Sequence, residues 1–332
     1  MISYLIKFLA KLACALALLT AVAWLVLTRP LWSSVVKTSP PGLAIAETLE
    51  THTRKLSQEF FPRDWKHPEN LNRASEYIRE NFSSSNQRVS FQNFKVDGTE
   101  YRNVISEYGT PSAAGTIVVG AHYDAFEKRP GADDNASGVA GLLELGRLLS
   151  AQTLSSKVVL VAYSLEEPPF FGTEMMGSAV HAASLVTAGE KVKLMIALEM
   201  IGYFSETPGS QSFPFPLLNL FYPSEGNFVA VIGPMTLSSA TVNLKRAMRG
   251  AIDLEVVSLN APSRVPGVDF SDHRNYWKEG FDAVMISDTA FFRNHAYHTD
   301  YDTADRLDYR KMAQVITGLN AAVLLLANGA GS

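Results

Sequence analysis

The stretch TIVVGAHYDAFEKRPGADDNASGVAGLLELGRLL, residues 116–149, decides how this chain folds. It opens on TIVVG, an uncharged and mostly β-branched run of the kind found in strands covered on both faces. A loop rich in Gly, Pro and Asp follows, and from Ala136 to Leu149 apolar residues recur at helical spacing. A buried strand passing through a polar loop into an amphipathic helix is the repeating unit of α/β layer folds. Similar apolar runs return at residues 158–163 (VVLVAY), 194–198 (LMIAL), 228–232 (FVAVI) and 283–286 (AVMI), and helical patterns occupy 174–184, 239–250 and 305–326. This alternation predicts a three-layer α/β/α fold around a central, mostly parallel mixed sheet. Amphipathic helical stretches around residues 45–60 and 71–82 precede it. Residues 204–227 lack periodicity and are rich in Phe, Pro, Gly and Ser, which marks an irregular segment and an expected lid.

In open α/β sheets ligands gather at the carboxyl ends of the strands, so the residues that follow each apolar run matter most. TIVVG leads to His122-Tyr123-Asp124, VVLVAY to Glu166-Glu167, LMIAL to Glu199, and AVMI to Ser287-Asp288 and then His295 and His298; Asp133-Asp134 stands on the loop before the helix at Ala136. Imidazole nitrogen and carboxylate oxygen without thiolate suit zinc. Two metals sharing a bridging carboxylate need about five protein ligands, and a general base must stand beside them without being a ligand. Glu166 and Glu167 suit that division, because side chains of adjacent residues at a strand end diverge. Two residues apart, His122 and Asp124 point the same way in an extended segment, so Asp124 is placed to hold the second nitrogen of the imidazole.

The ordered set His122-Tyr123-Asp124, Gly131 to Gly138 (GADDNASG), Glu166-Glu167, Ser271-Asp272-His273 and Tyr297-His298-Thr299 resembles metallopeptidase family 28, the co-catalytic zinc aminopeptidases, over about residues 100–310. The resemblance implies a zinc-exopeptidase fold, two Zn2+ ions per chain, and a peptide substrate with a free N-terminus. It implies Asp134 as the carboxylate shared by both ions, His122 and Glu199 completing one position, and Glu167 and His298 the other. Glu166 would be the general base and Asp124 the orienting carboxylate. The Glu pair is followed by Pro168-Pro169-Phe170-Phe171, a longer loop than the simplest members have, and Glu199 stands where many have Asp. A glutaminyl-cyclase-like acyl transferase with one zinc and a non-catalytic ectodomain are the rival implications.

Other polar residues carry plainer expectations. His295 competes with His298, and Glu206 and Glu225 with Glu199. Asp133 is expected to support its loop, Asp272 and His273 to make buried hydrogen bonds or cap a helix, and Arg293 to pair with Asp288, Asp300 or Asp302. Phe213, Phe215, Phe221 and Tyr222 either line a substrate pocket or pack the lid.

Among 332 residues, 47% are hydrophobic, the formal net charge is -4, and Cys14 is the single cysteine. Intrachain disulfides and Cys-rich zinc modules are thereby excluded, and the absence of a basic run argues against nucleic acid as a partner. Residues 12–27 form an apolar run broken only by Thr20, preceded by Lys7 and Lys11 and closed by Arg29 and Pro30. Extended upstream it reaches about 20 residues, enough for a membrane span. Residues 1–32 are therefore expected to be an uncleaved signal anchor, with a cleaved signal peptide as the alternative. Residues 33–42 would be a linker, and 43–332 a catalytic domain outside the cytoplasm, secreted if the leader is removed. Oligomeric state is left open by the sequence.

Overall fold

Strand β3 (Thr116–His122) sends Ile117, Val119 and Ala121 into one apolar cluster and Val118 into another on the opposite face. The computed structural model in which this is seen describes residues 2–28, 35, 37, 39–83, 88–236 and 239–329. The same two-sided alternation holds in β5 (Val192–Glu199), where Leu194, Ile196 and Leu198 face one way and Met195 and Ala197 the other. Buried on both faces, such strands must be apolar throughout, which is why the sequence marks them so clearly. With β1 (Arg88–Val96), β2 (Thr99–Tyr108), β4 (Val158–Tyr163), β6 (Phe228–Gly233), β7 (Glu255–Asn260) and β8 (Ala283–Ser287) they form one eight-stranded sheet in the order β1-β2-β4-β3-β5-β8-β6-β7. β4, β3, β5 and β8 run parallel, as do β6 and β7; β1, β2 and the β6–β8 contact are antiparallel.

One face is covered by α2 (Ala46–Arg54), α3 (Pro68–Ser83), α4 (Gly138–Ser150), α6 (Ser239–Ala251) and α8 (Tyr309–Asn328), the other by α5 (Gly177–Thr187) and α7 (His273–Lys278). The predicted three layers are present. Three strands were not foreseen. β1 and β2 form an edge hairpin, half exposed and carrying charge, so they lack the apolar run of a central strand. The signal that marks them is Asp97-Gly98, whose φ angles of 50° and 84° fit the two-residue hairpin turn such a pair favours. β7 is the opposite edge. α8 begins at Tyr309 rather than near 305 because the Asp308 side chain accepts from the N–H groups of Arg310 and Lys311, capping the helix there.

Helix α1 (Ile2–Thr28) contains Ser3–Ala23, long and apolar enough to cross a membrane and unburied by the rest of the chain. α8 is also long and apolar enough to span a membrane but is mostly buried, as a core helix is. Much of the linker expected at 33–42, including residues 33, 34, 36 and 38, lies outside the described residues, as do Arg29 and Pro30. From Ala44 onward the chain is tied to the body: Ala44 N–H donates to Thr317 Oγ1 and Ile45 N–H to Glu144 Oε1.

Arg63 braces the loops at the carboxyl edge of the sheet. Fully buried, its guanidinium donates to the carbonyls of Tyr123 at 3.0 Å, Leu56 at 3.1 Å and Pro130 at 2.6 Å, and also to that of Gly131. Burial pulls its pKa down to about 10 against the opposing pull of Asp302 and Asp134. Arg63→Met would leave these carbonyls without a donor, each costing about 1–3 kcal/mol when buried. Chemical unfolding should therefore show at least about 3 kcal/mol of lost stability; a loss under about 1 kcal/mol would mean the carbonyls find other donors.

Candidate metal centre

Three strand ends and two loops bring the predicted residues together. His122 ends β3, Glu166 and Glu167 follow β4, and Glu199 ends β5. Asp134 stands, in a non-helical conformation, at the kink of the turn Ala132–Ser137 ahead of α4, and His298 on the loop after β8. One oxygen-and-nitrogen group comprises His122, Asp134 and Glu199, a second Asp134, Glu167 and His298, with ligand-type atoms inside each group within 4.8 Å of one another. Asp134 belongs to both and divides its oxygens between them: Oδ1 lies 3.4 Å from His122 Nε2, Oδ2 3.1 Å from His298 Nε2. Glu199 Oε2 is 3.4 Å from His122 Nε2, and Glu167 Oε2 is 3.1 Å from His298 Nε2. Glu166 stands at the rim of the first group, its Oε2 3.8 Å from His122 Nε2.

The backbone is bent to make this possible. Leu165 before the Glu pair, Met200 after Glu199, and His298 itself have φ of 61°, 49° and 59°. Non-glycine residues seldom adopt this region, and such strain persists where surrounding structure enforces it. Gly131, at φ 55°, opens the Asp134 loop, and a Cβ there would meet the Asp134 carbonyl oxygen at 2.3 Å. Asp302 fixes the same loop, its two oxygens each accepting at 3.0 Å from the N–H groups of Asp133 and Asp134. The Asp133 carboxylate accepts from Gly202 N–H and from Asn294 Nδ2, the supporting part expected of it.

Asp124 stands beside His122 Nδ1 and also braces the Glu pair. Its carboxylate accepts at 3.1 Å from the N–H groups of both Glu166 and Glu167, holding the Glu pair in place. His122 Nδ1 lies 3.2 Å from the Asp124 carbonyl and 3.5 Å from the nearer carboxylate oxygen, so the backbone is the closer acceptor. Ser271 Oγ donates to Glu199 Oε2 at 2.8 Å, a contact sequence reasoning did not assign. His273 Nε2 meets the Val268 carbonyl at 2.8 Å; Asp272 precedes α7 without a side-chain cap bond, and among the described residues neither of its oxygens has a hydrogen-bond partner. Arg293 forms none of the expected ion pairs among the described residues. It is buried and donates to Gln211 Oε1 and to the carbonyls of Tyr203 and Phe228, because it is needed to tie segment 203–211 to β6. His295 is exposed, and Glu206 pairs with Lys311 away from the cluster.

Crowding carboxylates in a buried place is costly unless cations share it. Burial pushes Glu166 well above its ordinary range and Glu167 up to about 8. Burial works against protonation of His298, yet the facing Asp134 and Glu167 carboxylates carry it up to about 10. Among the described residues, Nε2 of His122, Nε2 of His298 and Oε1 of Glu167 are buried without a hydrogen-bond partner. Lone pairs that face one another with no donor between them are what a divalent cation takes up in place of protons. The all nitrogen-and-oxygen donor set fits zinc.

Beside the cluster a cavity opens under residues 211–222. Glu199 and Tyr297 stand at its polar end; Phe213, Leu218, Tyr222, Phe228, Val257 and Phe270 are among the apolar residues around it. Phe213 and Tyr222 therefore face the cavity, whereas Phe215 is half exposed on the outer side.

Three comparisons place this geometry. The chain is 50% identical over 289 residues to the uncharacterized protein YfbL of Escherichia coli (strain K12), covering 85% of this chain and 88% of that one. It is 26% identical over 213 residues to leucine aminopeptidase 1 of Coccidioides posadasii, covering 60% of this chain and spanning about half (49%) of that enzyme's length. In fold it matches BSAP, a zinc aminopeptidase from Bacillus subtilis, with a TM-score of 0.68 over 86% of this chain and 96% of that one, at 14% identity. Residues 103–323, about two thirds of the chain, match the family model of peptidase family M28, and this establishes that the chain belongs to that family.

Proposed function

We propose that this protein is a zinc-dependent aminopeptidase whose centre holds two ions. The observation that carries the reading is the Asp134 carboxylate, which presents one oxygen to each of two histidine–carboxylate groups. His122, Asp134 and Glu199 would hold one ion, and Asp134, Glu167 and His298 the other. Zinc in these positions supplies Lewis acidity, activating water and polarising a peptide carbonyl. Glu166, beside the first group but outside both, would take the proton of the attacking water on a carboxylate oxygen and pass it to the nitrogen of the departing amine. Asp124 holds the base by its backbone N–H, so Glu166 and Glu167 keep separate directions. The apolar cavity next to Glu199 would receive the side chain of the N-terminal residue, with 204–227 as its cover. The exposed helix α1 supports an anchored protein; its catalytic body, residues 43–332, would lie outside the cytoplasm, the usual arrangement for a signal anchor.

Glu166→Gln should lower kcat by about 10²–10⁴-fold, the usual share of a positioned general base, with zinc content unchanged. Asp134→Asn should lose zinc from both positions by elemental analysis; full zinc content in that variant would remove Asp134 from the centre. A panel of peptides with free or acetylated N-termini, assayed with and without chelator, should show hydrolysis only of the free ones and only without chelator. Pyroglutamate formed from an N-terminal Gln peptide, at one zinc per chain, would turn the reading to acyl transfer. Within the free peptides, kcat/KM for N-terminal Leu or Phe should exceed that for Asp or Lys by about 10²-fold, since charge entering the apolar cavity would be unpaired. Equal rates across this set would detach the cavity from substrate choice.

A further inference from the structure

The two imidazoles of the centre are held by different means. His122 has a side chain only 1% exposed, and its Nδ1 faces the carbonyl and carboxylate of Asp124. The His298 side chain is 21% exposed, its close polar contacts run through Nε2 alone, and no described residue hydrogen-bonds its Nδ1. A metal-bound histidine ordinarily has its second nitrogen fixed by a hydrogen bond, which sets the plane of the ring. Here aromatic rings occupy that role. The Phe126 ring is parallel to the His298 ring within 2°, with centroids 4.0 Å apart. The Tyr297 ring stacks at 3.8 Å and 18°. Two nearly parallel rings at such distances from a third can only sit on its opposite faces, so the imidazole is sandwiched.

The sandwich is anchored on both sides. Phe126 follows Asp124 on the loop after β3, where Arg129 N–H donates to the Phe126 carbonyl and the Arg129 guanidinium pairs with Asp300 at 2.6 Å, joining that loop to the one bearing His298. Tyr297 is backed by Phe291 at 5.5 Å, which belongs to the cavity wall. Loss of either ring would open one face of the His298 imidazole, so its plane would be held less firmly by the ring that remains.

We propose that Phe126 is a positioning residue that, opposite Tyr297, fixes the plane of the His298 imidazole and so aims Nε2 between Asp134 and Glu167. The inference rests on the reading that this group holds a cation, and it concerns the His298 position only; His122, with its own partners, is independent of Phe126. Phe126 is partly exposed, so its replacement spares the core.

The test is a Zn2+ titration of the metal-stripped full chain against a chromophoric chelator, for wild type, Phe126→Leu and Phe126→Trp. Wild type should take up two equivalents. F126L should keep one at wild-type affinity and bind the other about 10–100-fold more weakly, the usual cost of removing an outer partner of a metal-bound histidine. F126W, which restores a flat ring, should recover most of that loss, and the stripped F126L chain should unfold at the wild-type temperature. Two equivalents bound by F126L as tightly as by wild type would overturn the proposal, as would equal weakening of both with no recovery in F126W. A wild-type chain that takes up no zinc overturns the metal reading itself, and this inference with it.

Discussion

A single buried carboxylate, Asp134, sets the geometry on which the rest depends. Its two oxygens face two imidazoles from opposite sides, and each imidazole is faced by a second carboxylate, Glu199 or Glu167. Such a cluster is electrostatically unfavourable if emptied of positive charge, because burial strengthens repulsion among the carboxylates. The fold compensates by fixing the loop of Asp134 from all sides: Asp302 accepts its N–H, Arg63 holds the carbonyls of Pro130 and Gly131, and Asp133 is bound to Gly202 and Asn294. The loop is thus braced by the protein's own hydrogen bonds, which would limit the ordering cost of binding a cation.

Arg63 comes from the segment ahead of residues 103–323, the part of the chain that matches the M28 family. The N-terminal helices α2 and α3 and the turn after α2 are therefore more than a cover for the sheet. They carry a buried cation to the underside of the two loops that bear Asp124 and Asp134. The apolar side of the centre is organised by aromatic contacts in the same way: Phe126, His298, Tyr297 and Phe291 form a column that runs from the cluster to the cavity wall. A group bound in the cavity and a cation bound at His298 would share one wall through Tyr297 and Phe291.

Much of this was legible in the sequence, for physical reasons that differ element by element. Central strands announce themselves because both faces are buried and every residue must be apolar, as in VVLVAY and LMIAL. Edge strands do not, since β1 and β2 alternate burial with solvent and accept charge; only Asp97-Gly98 betrays their hairpin. His122, Glu167 and Glu199 were legible because they sit where such strands end, whereas Asp134 and His298, on loops, were legible through the ordered motifs that resemble the family's. Ser271 against Glu199, Asp302 under the Asp134 loop, and Arg63 beneath both were not, because a hydrogen bond between residues tens to more than a hundred positions apart leaves no local pattern.

The sequence alone determined the layer architecture and the apolar N-terminal helix, which follow from periodicity, and the roster of imidazole and carboxylate groups, which follows from residue type and from the ordered motifs that resemble the family's. Tertiary structure alone decided which oxygen of Asp134 faces which histidine, that Asp124 holds the Glu pair by its backbone and Arg293 ties segment 203–211 to β6 rather than pairing with a carboxylate, and that Phe126 lies flat on His298. Distances and ring planes arise only when separate strands and loops are brought to one edge of the sheet, and no local propensity encodes them.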